Sequence, residues 1–284
     1  MHRINPRSSI KIPAMKNKVP IENSPKPILK KLTDSCVSHP MISIGLYVCA
    51  VSLFFFIFPG ADIWSSGLFY SEVFGFWAKN MAFLRDVRYL GIFLVQVVAT
   101  TCVAVFVLKL LIPDRPPLMP LRQPLFLLST LVLGPGVLVN LILKDNWGRP
   151  RPQHVAEFGG DLPYQTVWKV TDYCDRNCSF VSGEASSAIW LTSVAFLVPA
   201  TWRKATLLFV LPLCFILSLN RIAFGGHFLS DTLISWGVTL LLSFAVFHLL
   251  FQRTRPIVSD RSLDEWMTAL GRFMQLSFQR LRRR

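Results

Sequence analysis

The chain is short of charge, and of acids most of all: 16% of its 284 residues are charged, with 16 Asp and Glu against 30 Lys and Arg. Soluble domains carry about a quarter charged residues. This deficit, with 52% apolar residues gathered into long unbroken blocks, excludes an ordinary soluble domain and gives a membrane composition. There is no internal repeat, and the bases flank apolar runs instead of forming an aromatic-studded basic face. The net charge of +14 is therefore no footprint for nucleic acid. No second Cys or His pair stands at zinc-ligand spacing beside Cys174 and Cys178. No small-residue cleavage site follows the first apolar run, so that run is expected to serve as its own insertion signal.

What is present is apolar length. A helix needs about 20 apolar residues to cross a hydrocarbon core of about 30 Å, because lipid cannot satisfy bare backbone amides. Six stretches qualify, at 41–58, 89–112, 124–143, 186–200, 205–224 and 229–251. The expected fold is an all-α polytopic membrane bundle, 41–251, between a basic, largely disordered arm at 1–40 and a basic tail at 252–284. Short Lys- and Arg-rich segments stay in the cytoplasm. Both tails carry such clusters, as do the links around Arg115–Arg122 and Arg203–Lys204. Both termini are thus expected to be cytoplasmic and the 144–184 segment to face outward. In the tail, Ser262 with Glu265 reads as a capping box, and Trp266, Leu270, Phe273 and Leu281 as the stripe of an interfacial helix, with a solvated or disordered tail as the alternative. Cys174 and Cys178, four apart on an outward loop, point to a short-loop disulfide, with two unpaired thiols as the alternative.

Polar groups at span ends mark function, since charge near a bilayer is costly. Three clusters stand there, on the face expected to be outward: Lys144-Asp-Asn-Trp-Gly-Arg-Pro-Arg151-Pro152, then Ser179-Phe-Val-Ser182-Gly183-Glu184, then Asn220-Arg221-Ile-Ala-Phe-Gly-Gly-His227-Phe-Leu-Ser-Asp231. Lys144, Arg151 and Arg221 offer charge-assisted donors to phosphoryl oxygens. Ser182 and Gly183 begin a helix whose first amides favour an anion. His227 and Asp231, four apart, could share a helix face, the carboxylate holding one ring nitrogen and leaving the other to attack phosphorus. Each also has a bland reading: Lys144 and Arg149 as stop-transfer residues, Ser182 as a helix cap, Gly225-Gly226 as a turn, His227 as a packing histidine. Their order and common face favour the chemical one.

Lys, six residues, Arg-Pro; then Ser-Gly; then Arg, five residues, His, three residues, Asp: this series resembles the three-part signature of the type 2 phosphatidic acid phosphatases, which include bacterial lipid phosphatases. The stretch Phe58-Pro-Gly-Ala-Asp-Ile-Trp-Ser-Ser-Gly-Leu-Phe-Tyr70 is also similar to membrane members of that family. The resemblance implies a metal-free and cofactor-free phosphatase with His227 as nucleophile, Asp231 orienting it, and Lys144, Arg151, Arg221, Ser182 and Gly183 binding phosphate. It implies a lipid substrate met in a bacterial inner membrane, with the site facing the periplasm and no obligate protein partner. Two departures stand out. Asn220 replaces the usual Ser before Arg221, and Glu184 replaces the second-motif histidine that would protonate the leaving alkoxide. Glu184 is either a general acid with a raised pKa or a structural residue.

The Cys-Ser-Phe-Val-Ser-Gly-acid wording resembles the lipid A phosphatases, which makes lipid A the first expected substrate. Undecaprenyl pyrophosphate and phosphatidylglycerophosphate come next. A lipid phosphotransferase and a non-enzymatic lipid binder remain as alternatives.

Overall fold

The computed structural model describes residues 38–282; the arm expected at 1–40 lies outside them except at its very end. Helix α1 (Pro40–Ile57) is followed by the short α2 (Gly60–Gly67). A two-residue hairpin, β1 (Tyr70–Ser71) and β2 (Gly75–Phe76), pairs Tyr70 with Phe76. Next come α3 (Ala82–Leu111) and α4 (Arg122–Lys144), whose second half, Val132–Lys144, winds as a π-helix. The segment after Lys144 leads to α5 (Gly183–Trp190), then α6 (Ala200–Ala223), α7 (Leu229–Gln252) and α8 (Asp260–Arg282). Among the described residues, α1, α3, α4, α6 and α7 are the five helices long and apolar enough to cross a membrane.

The sixth expected span, 186–200, is shorter than the other five and less regular. It is an α-helix of 8 residues continued by a 3-10 turn of 6, Leu191–Phe196. This α5 segment packs against α3, α4, α6 and α7, with Ala185, Ser186, Ile189 and Trp190 buried. A helix walled by other helices is apolar on every side. Hydroxyl contacts fix the packing, as expected where lipid gives helices no hydrophobic reason to associate. Ser186 Oγ lies 2.6 Å from Thr239 Oγ1, and Trp190 Nε1 donates to Thr130 Oγ1 at 3.0 Å. Large apolar side chains such as Phe56, Phe93, Phe209 and Phe215 stand exposed on the outer surface, as lipid-facing residues do.

Helix α8 docks on the bundle end away from Lys144. Asp264 pairs with the buried Lys109, Asp260 with Arg122, and Arg272 with Asp114. Its cap is a reciprocal Ser259–Ser262 pair, each backbone N–H bonded to the other's hydroxyl. Glu265, expected to complete a box with Ser262, instead pairs with Arg261. Met267 and Gly271 face the protein, whereas Trp266, Phe273 and Leu281 are exposed.

Candidate active site

The three clusters meet at one end of the bundle because each occupies a helix end: Lys144 closes α4, Ser182 caps α5, Arg221 sits in the last turn of α6, and Asp231 lies in the first turn of α7. The turn between α6 and α7 carries His227. Gly225 there adopts φ +61°, and a Cβ on it would lie 2.5 Å from the Phe76 ring. A Cβ on Gly226 would lie 2.6 Å from Arg221 Nη2. The Gly-Gly pair is thus a turn that also lets the chain pass close over a functional guanidinium.

His227 is 1% exposed, and its Nδ1 lies 2.7 Å from the carbonyl oxygen of Ser179. A carbonyl only accepts, so Nδ1 carries the hydrogen and Nε2 keeps its lone pair. Burial, then the positive charges of Arg221, Lys144 and Arg151, hold the ring's pKa well below its usual 6.5. The imidazole is therefore neutral at neutral pH, the state a nucleophile needs.

The expected contact between Asp231 and the ring takes another form. His227 precedes the first residue of α7, with Phe228 as N-cap, so the two do not share a helix face. The Asp231 carboxylate accepts from the Phe228 N–H (2.9 Å), Ser179 Oγ (2.5 Å) and Arg149 Nη1 (2.5 Å). It reaches the histidine through Ser179.

Two neighbouring Arg-Pro arginines divide the work. Arg149 is fully buried and every donor is taken: Nε by Gln165 O, Nη1 by Ser230 Oγ and Asp231, Nη2 by Asp62 and the Tyr164 hydroxyl. It is unavailable to a ligand. Arg151 has Nε and Nη2 on the Asn177 carbonyl, at 3.0 and 2.7 Å, which leaves Nη1 and the charge for an anion. Burial lowers its pKa from the usual arginine value. Arg221 is 5% exposed, and its Nε and Nη1 are buried without a hydrogen-bond partner. Buried, unsatisfied guanidinium donors beside a neutral histidine suit phosphoryl oxygens.

Ser182 fills the capping role, its Oγ accepting from Ala185 N–H at 3.3 Å. Gly183 allows α5 to start against α4, since a Cβ would lie 2.5 Å from Asn140 Oδ1. The remaining first-turn amides have no intrahelical acceptor. Asn220 donates to the Leu84 carbonyl at 2.8 Å, tying α6 to α3. In the segment between Lys144 and α5, Cys174 and Cys178 are joined as a disulfide.

Glu184 is held by cations. Arg88 donates Nε and Nη2 to its oxygens at 2.7–3.1 Å, and Arg221 Nε lies 3.3 Å from Oε2 without hydrogen-bond geometry. Two guanidinium groups thus converge on one carboxyl group, whose oxygens accept from Arg88. Glu184→Gln is therefore expected to lower kcat/KM about tenfold, as loss of one charge-assisted bond does, equally for activated aryl phosphates and for lipid. A loss confined to poor leaving groups would assign the acid role instead.

Sequence reading passed over Arg88, Asp62 and Lys79. Arg88 is the last charge before a long apolar run, and Asp62 the lone acid of α2; both are signals of intramembrane polar function. Lys79 bonds the Gln153 side chain, and burial followed by the charges of Arg151 and Arg221 lowers its pKa. It thus adds to the positive rim. Among the described residues no His, Cys, Asp and Glu group has metal-site geometry.

A family model described as the PAP2 superfamily matches residues 123–255. The chain is 34% identical over 220 residues to a lipid A 4'-phosphatase of Francisella tularensis subsp. novicida (strain U112), a match covering 75% of this chain and 96% of the relative. It is 40% identical over 122 residues to a lipid A 4'-phosphatase of Rhizobium leguminosarum, covering 43% of this chain and 52% of that one. A crystal structure of a transmembrane PAP2-type phosphatidylglycerolphosphate phosphatase from Bacillus subtilis superposes with a TM-score of 0.50 at 18% identity, covering 76% of this chain and 100% of that one. At that identity the likeness concerns the fold.

Proposed function

The chain belongs to the PAP2 superfamily and is a multi-pass membrane phosphatase, and from that premise we propose that it removes a phosphate monoester from lipid A through a phosphohistidine. The observation that carries the mechanism is a buried neutral His227, its Nδ1–H on a carbonyl, beside unsatisfied Arg221 donors. Nε2 of His227 attacks phosphorus while Lys144, Arg151, Arg221 and the first amides of α5 take the phosphoryl oxygens. The P–O bond to the sugar breaks, and the departing alkoxide takes a proton from water or from a lipid hydroxyl. Water then attacks the phosphohistidine, the P–N bond breaks, and inorganic phosphate leaves. Lipid A as substrate rests on the two named relatives, one matched over 96% of its length. Comparing the lipids of cells with and without the protein by mass spectrometry tests it: lipid A should retain one more phosphate where the protein is missing, and unchanged lipid A would refute the assignment.

The same reading places the site at the periplasmic face of the inner membrane. Its support is the basic character of the opposite end, where Arg115, Arg122 and the tail arginines cluster, and of the 203–204 link. The exposed apolar side chains of α8 would then lie in the cytoplasmic leaflet's surface. A cysteine introduced at Asp161, exposed on the outward segment, should react with a membrane-impermeant maleimide in intact spheroplasts. Labelling only after permeabilisation would invert the topology.

A further inference from the structure

The motifs account for Asp231 and His227 but not for what surrounds them. Asp62, Arg149, Ser179, Ser230 and Asp231 are all 0% exposed, and they form one chain of bonds from α2 to the nucleophile. Asp62 Oδ1 accepts the Ser230 N–H at 2.9 Å. Its Oδ2 accepts Ser230 Oγ at 2.5 Å, Arg149 Nη2 at 2.8 Å and the Tyr164 hydroxyl at 3.1 Å. Arg149 spans to Asp231, its guanidinium carbon 4.5 Å from the Phe228 ring centre and 5.5 Å from that of Tyr164. Asp231 takes Ser179 Oγ, and the Ser179 carbonyl takes the His227 Nδ1–H.

Two carboxylates and one guanidinium buried together are a weak source of stability, because desolvation offsets most of their attraction. What such a network does well is fix geometry, since each partner is held by several bonds of defined direction. Each link here has a single position. Arg149 has spent all five N–H groups, so it cannot swing. Asp231, fixed by Arg149 and by the Phe228 amide, sets the Ser179 hydroxyl, and with it the plane of the Ser179 peptide that the imidazole reads.

The geometry points to Asp62 and Arg149 as positioning residues of the phosphatase, acting through Asp231 and Ser179, whose carbonyl fixes the tautomer and aim of His227. Asp231 then orients the nucleophile at second hand. This inference rests on the proposed role of His227, and its test separates the two.

The test uses full-length protein in detergent with a soluble aryl phosphate, a thermal melt to count folded enzyme, and four variants: Ser179→Ala, Asp62→Asn, Asp231→Asn and Ser179→Ala with Asp231→Asn. Ser179→Ala removes one hydroxyl and keeps the carbonyl, so it is the variant most certain to fold. Per folded molecule, kcat should fall about 10- to 100-fold in Ser179→Ala and Asp62→Asn with KM within about twofold. The double variant should be no slower than Asp231→Asn alone, because the two act in series. Nitrogen-15 NMR should give the Nδ1–H tautomer of His227 in the wild type and a tautomer mixture in Ser179→Ala. Multiplying losses in the double variant, or wild-type kcat in both Ser179→Ala and Asp62→Asn, would overturn the proposal. His227→Asn decides the underlying reading separately: if it remains active, the nucleophile assignment fails whatever the network does.

Discussion

His227→Ala is expected to lower turnover by about 10⁴-fold or more, the scale on which removal of a nucleophile acts. The argument is positional. The ring is 1% exposed, neutral, and oriented by Ser179, and among the described residues no other histidine stands between Arg221 and the start of α7. Because the side chain is buried, its truncation also carries a folding risk. His227→Asn, whose amide can still donate to the Ser179 carbonyl, controls for it and should be equally inactive. The wild type adds a pH signature. A nucleophile must be unprotonated, and this ring's pKa lies well below 6.5. The acid limb of kcat/KM should therefore fall below pH 6.5, with a flat profile above it through neutrality. An acid limb centred above pH 7 would mean that a different group is titrating.

Arg221→Ala should cost the next most, about 10²- to 10³-fold in kcat, the range for losing a preorganised donor to a developing charge. Three features single it out from the other cations. It is 5% exposed, two of its donors make no hydrogen bond, and Gly226 leaves its guanidinium room by lacking a Cβ. Arg221→Lys keeps the charge but loses the fork, so it should recover only part of the loss. The measurement is kcat and KM on an aryl phosphate with folded protein quantified. Equal activity in Arg221→Lys and the wild type would reduce Arg221 to a point charge.

Much of this site is legible in the sequence, and the illegible part has a common cause. Lys144, Ser182, Arg221 and His227 can be found because spans end beside them, and helix ends are where chain order and space coincide. The burial of the 186–200 stretch is not legible, because an apolar run looks the same whether lipid or other helices surround it. Spacing misleads for His227 and Asp231: four residues mean one helix face only if both lie in the helix, and α7 begins at Leu229. Arg149 and Arg151, each followed by proline, cannot be told apart by pattern. They separate only when Asp62, 87 positions away from Arg149, arrives to consume its donors. Glu184 is the reverse case. Its departure from the family motif is visible at once, but its meaning depends on Arg88, 96 positions away on α3.

The central claim is that this chain hydrolyses a lipid phosphate through His227. Its most direct test is incubation of the purified protein with chemically defined lipid A, reading inorganic phosphate and lipid mass together, for wild type and His227→Asn. The account predicts one inorganic phosphate released for each lipid A molecule that loses a phosphate, and none with the variant. Unchanged lipid A, phosphate transferred to a second lipid without release, or equal release by the variant would contradict it.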